Sequence, residues 1–226
     1  MHGETQPVSL FCEMAMSPEM LLERNRAQTV SETDDFTVER YKQMHRHFPV
    51  LARTVLDAGC NTGRGGKALK DLDVSLQVIG LDCVAERLAK LDPAVYSKSI
   101  CGFSTQIPAE SGSVDCIVAG EFLEHINPIE VDATLAEFFR ILKLRGRLLL
   151  TTPNPGYLKN KMRRLSVLLE ASHLTQHYPD CLKQRLRLIG FSGVKICGSG
   201  RMIKYIGEKV PFLPVYGSYL VTADKW

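Results

Sequence analysis

Val55-Leu56-Asp57-Ala58-Gly59-Cys60-Asn61-Thr62-Gly63 is the stretch on which the reading of this chain turns. An apolar run from Thr54 to Asp57 predicts a strand, and the small residues after it predict a tight turn. A helical pattern then begins near Gly65. Small residues let the backbone approach a ligand closely, and a helix N-terminus offers N–H groups to an anion. The next strand, Val78-Ile79-Gly80-Leu81-Asp82, ends in an acid that suits the paired hydroxyls of a ribose. Together these features predict a nucleoside-containing ligand. A dinucleotide fingerprint needs Gly-x-Gly-x-x-Gly, and the corresponding positions are Gly59, Asn61 and Arg64. That spacing disfavours a nicotinamide-dependent oxidoreductase. Asn61 fits the turn because asparagine accepts positive φ more readily than most residues.

Working outward, short apolar runs alternate with helical patterns. Strands are predicted over Thr54–Asp57, Gln77–Asp82, Val114–Gly120, Arg147–Thr152, Val194–Cys197 and Tyr219–Ala223, with Ser97–Cys101 a weaker seventh. Helices are predicted over Thr37–Phe48, Gly65–Leu72, Ala85–Lys90, Ile129–Leu142, Tyr157–Leu169 and Pro179–Ile189. Leu135, Phe138, Phe139 and Leu142 recur at three- and four-residue spacing, as on a helix with one buried face. Repeated strand–helix–strand units predict an α/β fold: a Rossmann-like, doubly wound, mostly parallel seven-stranded sheet with helices on both faces. Residues 1–50 read as a helical cap or lid, with Met14, Met16 and Met20 as lid candidates, and residues 51–226 as the ligand-binding domain.

At 226 residues and 45% hydrophobic content, the chain can bury a proper core. No apolar run approaches the roughly 18 residues that span a bilayer, so stable membrane insertion is not expected. Met1–Glu13 lacks the basic and apolar regions of a secretory signal. Seven scattered cysteines without Cys-x-x-Cys spacing give no sign of a zinc ribbon or a thioredoxin-like dithiol and fit a reducing cytoplasm. Charge is divided unevenly. Residues 1–139 carry a net −9 and residues 140–226 a net +12, densest at Lys159, Lys161, Arg163 and Arg164. Such a division serves either as a solvated surface or as a basic face for an anionic partner.

Asp57-x-Gly59-x-Asn61-x-Gly63 resembles motif I of the class I S-adenosylmethionine-dependent methyltransferases, with Asn61 at a position that is glycine in the motif. The resemblance continues through Asp82, through Ile107-Pro108 before Ser113-Val114-Asp115-Cys116-Ile117-Val118, and through Phe139 to Leu150, over roughly residues 53–225. It implies S-adenosylmethionine as the cofactor, with contacts from Asp57, Gly59, Cys60, Asn61, Gly63, Asp82, Cys83, Phe103, Ser104 and Glu121. Asp57, Gly59 and Gly63 are expected around the amino-acid end and Asp82 at the ribose. Many relatives have an acid near Phe103 that meets the adenine; here backbone or Ser104 would replace it.

Glu121-Phe122-Leu123-Glu124-His125 follows the fourth predicted strand. In a helical turn Glu121, Glu124 and His125 stand at i, i+3 and i+4 and share one face. Converging two carboxylates and an imidazole is costly unless a cation or proton neutralises them, so these three are the catalytic candidates. The segment resembles the Glu-x-x-Glu-His motif of the enzymes that methylate the terminal 2′-hydroxyl of small RNAs and of the ubiquinone-pathway O-methyltransferases. The RNA group implies a metal site of Glu121, Glu124, His125 and His173, with His177 in reserve and magnesium or manganese as the expected ion. Other methyltransferases carry Leu-Glu-His here, with the histidine on the substrate or acting as base. His2, His45 and His47 read as surface or capping groups.

The expected function is therefore O-methylation of a hydroxyl on an anionic, glycan or lipid-linked small-molecule acceptor. RNA methylation and a non-catalytic S-adenosylmethionine-binding module are the alternatives. Val210-Pro211-Phe212-Leu213-Pro214-Val215-Tyr216 reads as a packed connection, or else as a lip over substrate or against a membrane.

Overall fold

The apolar runs predicted as strands are continuous rather than alternating, which requires cover on both faces. The computed structural model describes residues 16–28 and 35–226 and shows that cover. Seven strands form one sheet: β1 (Thr54–Ala58), β2 (Gln77–Asp82), β3 (Tyr96–Cys101), β4 (Val114–Gly120), β5 (Leu142–Pro153), β6 (Ser192–Ser199) and β7 (Ser218–Asp224). Their order is β3-β2-β1-β4-β5-β7-β6, and β7 runs antiparallel to both neighbours. The order reverses between β1 and β4, where a doubly wound sheet opens its ligand crevice.

Along each strand successive residues serve opposite layers. Leu56, Ile117, Leu148, Leu150 and Val221 pack under helices α5 (Val131–Ile141) and α7 (Pro179–Ile189), through Leu135, Phe138, Leu182 and Leu186. Val55, Cys116, Val118, Leu149 and Leu220 face α2 (Asp35–His45) and α3 (Arg64–Leu72), through Tyr41, Met44, Ala68 and Leu69. Helix α1 (Pro18–Ala27) has Ser17 as its N-cap and buries only Leu21. It is tied across the crevice mouth: Arg26 pairs with Glu86 at 3.0 Å, and Arg24 donates to the Ala171 carbonyl. Helix α2 is an integral layer of the core, whereas α1 is the part that caps. Met14, with the rest of residues 1–15, and residues 29–34 lie outside the described residues.

Asp57 fixes the layers to one another. It is fully buried, and its two oxygens accept from Tyr41 of α2 (2.5 Å) and Tyr96 of β3 (2.7 Å). Tyr96 Oη in turn accepts from the Gly66 amide at 3.0 Å. The rings reach that point only because α3 carries Gly65 and Gly66 in its first turn. A Cβ on Gly65 would lie 2.1 Å from the Tyr41 ring, and one on Gly66 would lie 2.3 Å from Tyr96.

Two expectations are corrected. The helix read over Tyr157–Leu169 is a short α6 (Leu158–Met162), a turn with Arg164 at φ 54°, and a single 3₁₀ turn at Val167–Leu169. Its side chains face solvent apart from Val167, so the apolar periodicity has no partner to sustain a long helix. The helix predicted over Ile129–Leu142 begins with a 3₁₀ turn at Pro128–Glu130, and β5 starts directly at Leu142. Two short helices complete the chain, α4 (Ala85–Leu88) and α8 (Ile203–Ile206). No helix of the described residues is long and apolar enough to cross a membrane.

Burial pushes the Asp57 carboxyl up to about 6, against the two tyrosine hydrogen bonds that favour its charged form. An acid raised on folding contributes most below its unfolded value, and that contribution is lost as pH rises through the folded value. Replacing Asp57 by Asn removes this dependence. Urea unfolding should therefore show the native chain losing stability relative to Asp57→Asn between about pH 4 and pH 6, by on the order of 1–3 kcal/mol. Parallel pH curves for the two proteins would contradict the clamp.

Candidate functional site

At the carboxyl ends of β1, β2 and β4 lies a cavity lined by Gly59, Cys60, Asn61, Thr62, Asp82, Cys83, Phe103, Ser104, Glu121, Phe122 and His125. Its floor is the glycine loop. The amides of Gly59 and Cys60 donate to the Leu81 carbonyl at 2.8 and 3.1 Å, pinning the loop to β2. Gly59 adopts φ 71°, and a Cβ there would lie 2.6 Å from Phe122. Asn61 adopts φ 52°, and its buried Oδ1 has no hydrogen-bond partner. A buried carbonyl oxygen left unpaired is costly, and its place in the lining makes it an acceptor for a ligand's N–H or O–H.

Asp82 forms the adjoining wall. One oxygen accepts from the Asn61 amide at 3.0 Å and the other from the Val84 amide at 2.9 Å, while Arg87 lies 3.8 Å away. Each carboxylate oxygen keeps a second lone pair for a hydroxyl. Cys83, partly buried beside Asp82, has its thiol pushed up to about 11 by burial. The Cys60 thiol is also raised by burial, so neither is a ready nucleophile. Phe103 lines the cavity, and the Ser104 hydroxyl is paired with Thr134 at 2.9 Å.

Asp57 and Gly63 do not line the cavity, which corrects the expectation of direct cofactor contacts there. Asp57 spends its oxygens on the tyrosines. Gly63, at φ 94°, opens α3 facing Leu91 and Tyr96. Residues the sequence reading passed over stand in their place: Asn25 and Gln28 from the α1 end, and Arg40 and Tyr41 from α2. Nothing local marks these as ligand-facing; only the packing of α1 and α2 brings them over the crevice.

The expected Glu121–His125 face is not helical. Glu121 takes φ 50° at the exit of β4, its amide bonded to Thr151, and Leu123–His125 form a 3₁₀ turn. Left-handed backbone in a glutamate is a strained conformation, held here by the Thr151 contacts. It turns the Glu121 carboxylate toward Arg40 (3.6 Å) and the Ser218 hydroxyl (3.2 Å). Glu124 is wholly buried. Its Oε2 accepts from Thr152 at 3.0 Å, and its Oε1 has no partner. Burial, with the Glu121 charge added, holds its carboxyl well above the usual carboxylate range.

His125 and His173 meet edge to face with ring centroids 5.0 Å apart. The His125 Nδ1–H donates to the Ser172 carbonyl at 3.0 Å, and the His173 Nδ1–H donates to the Val167 carbonyl at 2.8 Å. These bonds set the tautomers and make Nε2 the acceptor nitrogen of each ring. The Gln28 amide lies 3.2 Å from Nε2 of His125, and Glu170 lies 3.5 Å from Nε2 of His173. Burial lowers the His125 imidazole below its ordinary 6.5, so it is neutral at pH 7.

Ligand atoms of Glu124, His125 and His173 lie within 4.8 Å of one another. Glu121 is not part of this group, so the expected four-ligand set is reduced to three. The reserve candidate His177 is bonded to Thr175 and the Leu123 carbonyl and depressed by burial to about 4, away from the trio. The unpaired Glu124 oxygen and the two tethered imidazoles fit a divalent cation. Two nitrogens and one oxygen suit a manganese-, iron- or zinc-type ion better than magnesium. Farther off, His47, Cys197 and Glu208 also converge, but Arg46 already neutralises Glu208 at 3.1 Å.

Fold and cavity define a doubly wound domain with a crevice at the carboxyl ends of its central strands. The family described as methyltransferase domain matches residues 56–150. The malonyl-[acyl-carrier protein] O-methyltransferase of Laribacter hongkongensis is 32% identical over 143 residues, covering 58% of this chain and 46% of that protein. The mitochondrial ubiquinone biosynthesis O-methyltransferase of Rattus norvegicus is 29% identical over 115 residues, covering 47% and 32%. The chain thus spans less than half the length of these relatives. A S-adenosylmethionine-dependent methyltransferase of Archaeoglobus fulgidus shares the fold at a TM-score of 0.65 and 20% identity, covering 83% of this chain and 92% of that one. Over residues 56–150 the chain is thus similar to methyltransferase domains, and these matches support a class I S-adenosylmethionine-dependent methyltransferase, a family whose cofactor is S-adenosylmethionine.

Asp82→Ala removes the acid that faces the cavity and loosens the Asn61 and Val84 amides. Loss of hydrogen bonds to a charged group costs about 1.5–3 kcal/mol, so S-adenosylhomocysteine affinity should fall on the order of 10- to 150-fold in calorimetric titration. Unchanged affinity would remove Asp82 from the site.

Proposed function

We propose that this chain transfers the methyl group of S-adenosylmethionine to a hydroxyl oxygen of a small-molecule, glycan or lipid-linked acceptor. The observation that carries the reading is His125: a neutral, buried imidazole in the cavity wall, pinned through Nδ1 so that Nε2 is its basic atom. On this reading Asp82 holds the ribose, and Phe103 with the Ser104 backbone borders the adenine. The loop from Gly59 to Asn61 takes the amino-acid end. Its ammonium meets the unpaired Asn61 Oδ1, and its carboxylate meets Arg40.

The acceptor hydroxyl gives its proton to His125 Nε2 as its oxygen attacks the methyl carbon. The carbon–sulfur bond breaks, and sulfur takes the electron pair. The products are a methyl ether and S-adenosylhomocysteine, with the proton on His125. The electrophile is already reactive, so alignment and proton removal are what the pocket contributes. A base placed for hydroxyl deprotonation favours oxygen as the acceptor atom, in keeping with the two relatives named as O-methyltransferases.

The convergence of Glu124 and His173 supports a second reading, in which Glu124, His125 and His173 hold a divalent cation. Such an ion, when bound, lowers the pKa of the acceptor hydroxyl. His125 then serves as a ligand through the same Nε2, so the two readings exclude each other.

Rates measured with a methyl acceptor separate them. If His125 is the base, kcat/KM is level above neutral pH and falls on the acid side with a midpoint below 6.5. His125→Ala then lowers it by about 10²-fold or more with S-adenosylhomocysteine binding intact, and His173→Ala leaves most of the rate. If a cation is held, chelation abolishes turnover. Calorimetric titration of manganese then gives one site per chain, which His173→Ala eliminates. Full activity in His125→Ala would sink both.

A further inference from the structure

We propose that residues 157–171 seat the protein on an anionic lipid surface. The run Tyr157-Leu158-Lys159-Asn160-Lys161-Met162-Arg163-Arg164-Leu165-Ser166-Val167-Leu168-Leu169 holds four cations and no acid. It follows β5 as the short α6 and two turns, and it stands off the core except at Val167. Leu158 is 46% exposed, Met162 77%, Leu165 48%, Leu168 45% and Leu169 67%. Lys159, Lys161, Arg163 and Arg164 are exposed among them, and no carboxylate of the described residues pairs with any of the four. The first acid after the run, Glu170, leans toward His173.

Single exposed apolar side chains are ordinary on a protein surface, but four leucines and a methionine in one short run interleaved with cations are not. The pattern matches an interface whose outer layer is anionic and whose inner layer is apolar. Leucine and methionine side chains enter the acyl boundary, while lysine and arginine stems lie along it with their charges at the phosphates. An acidic protein would engage the cations but leave the apolar ends without a partner, which is why lipid is the occupant inferred. The Leu213–Val215 turn packs on α6, and Phe212 beside it is 55% exposed, so the apolar surface continues into the proline-interrupted lip.

The inner side of the same segment holds the site. The Val167 carbonyl fixes His173, the Ser172 carbonyl fixes His125, and the Ala171 carbonyl takes Arg24 of α1. Seating the outer face on lipid therefore orders the backbone that aims both imidazoles. The docking surface goes beyond the methyl-transfer reading and does not require it.

The test is flotation of the full chain with vesicles of phosphatidylcholine alone and of phosphatidylcholine mixed with phosphatidylglycerol. Binding should appear only with phosphatidylglycerol and weaken as salt rises. Each basic side chain near an anionic surface contributes about fivefold in affinity, so Arg163→Glu with Arg164→Glu should weaken binding by well over tenfold. Met162→Ser with Leu169→Ser should also weaken it by at least about tenfold, because apolar entry is lost. Calorimetric titration of S-adenosylhomocysteine on the same samples should be unchanged in both variants, showing intact folds. Absence of binding to phosphatidylglycerol vesicles by the native chain overturns the proposal. So does undiminished binding by the serine variant, which would show attraction to polyanions only and point to an acidic protein or nucleic acid. Self-association that the serine variant abolishes without vesicles would assign the face to a second copy instead.

Discussion

A buried carboxylate between two tyrosine hydroxyls organises this molecule. Asp57 sits at the end of the central strand, where its charge would be costly without partners. Tyr41 reaches it from α2 and Tyr96 from β3, and the tyrosines approach over a helix whose first turn has no side chains in the way. Three elements, α2, β1 and β3, are thereby held together at one point. The glycine loop starts one residue beyond Asp57, so its path depends on that junction. The cavity above inherits its floor from the same contact.

A second buried acid plays a different part. Glu124 has one oxygen satisfied and one left over, and burial drives it toward the protonated form. The two histidines beside it are tethered by carbonyls from the segment after β5, and ligand atoms of all three residues come within 4.8 Å of one another. The site is thus assembled from both sides of β5. The strained Glu121 turns its carboxylate to Arg40, although its charge still raises the Glu124 carboxyl.

Much of the fold was legible because its strands are buried on both faces. Gln77–Asp82 and Val114–Gly120 read as continuous apolar runs, and the structure gives them those bounds. Pro179–Ile189, begun by proline and ended by glycine, was equally plain. Positive φ at Asn61 followed from the chemistry of the turn. The Tyr157–Leu169 helix failed because periodicity registers apolar spacing and not whether anything lies opposite. Glu121 failed for a related reason: i, i+3, i+4 spacing gathers side chains only when the backbone is helical. Asp57 was read as a ligand contact although Gly65 and Gly66 already signalled bulky neighbours against the helix. Arg40 and Gln28 carried no sequence signal, since only tertiary packing brings α1 and α2 over the crevice.

The central claim is that the Gly59–Asn61 loop and Asp82 form the pocket of an adenosyl cofactor. Calorimetric titration of the chain with S-adenosylhomocysteine and, separately, with NAD tests it most directly. The account predicts saturable binding of one S-adenosylhomocysteine per chain and no heat of binding from NAD. Binding of NAD with S-adenosylhomocysteine silent would contradict it.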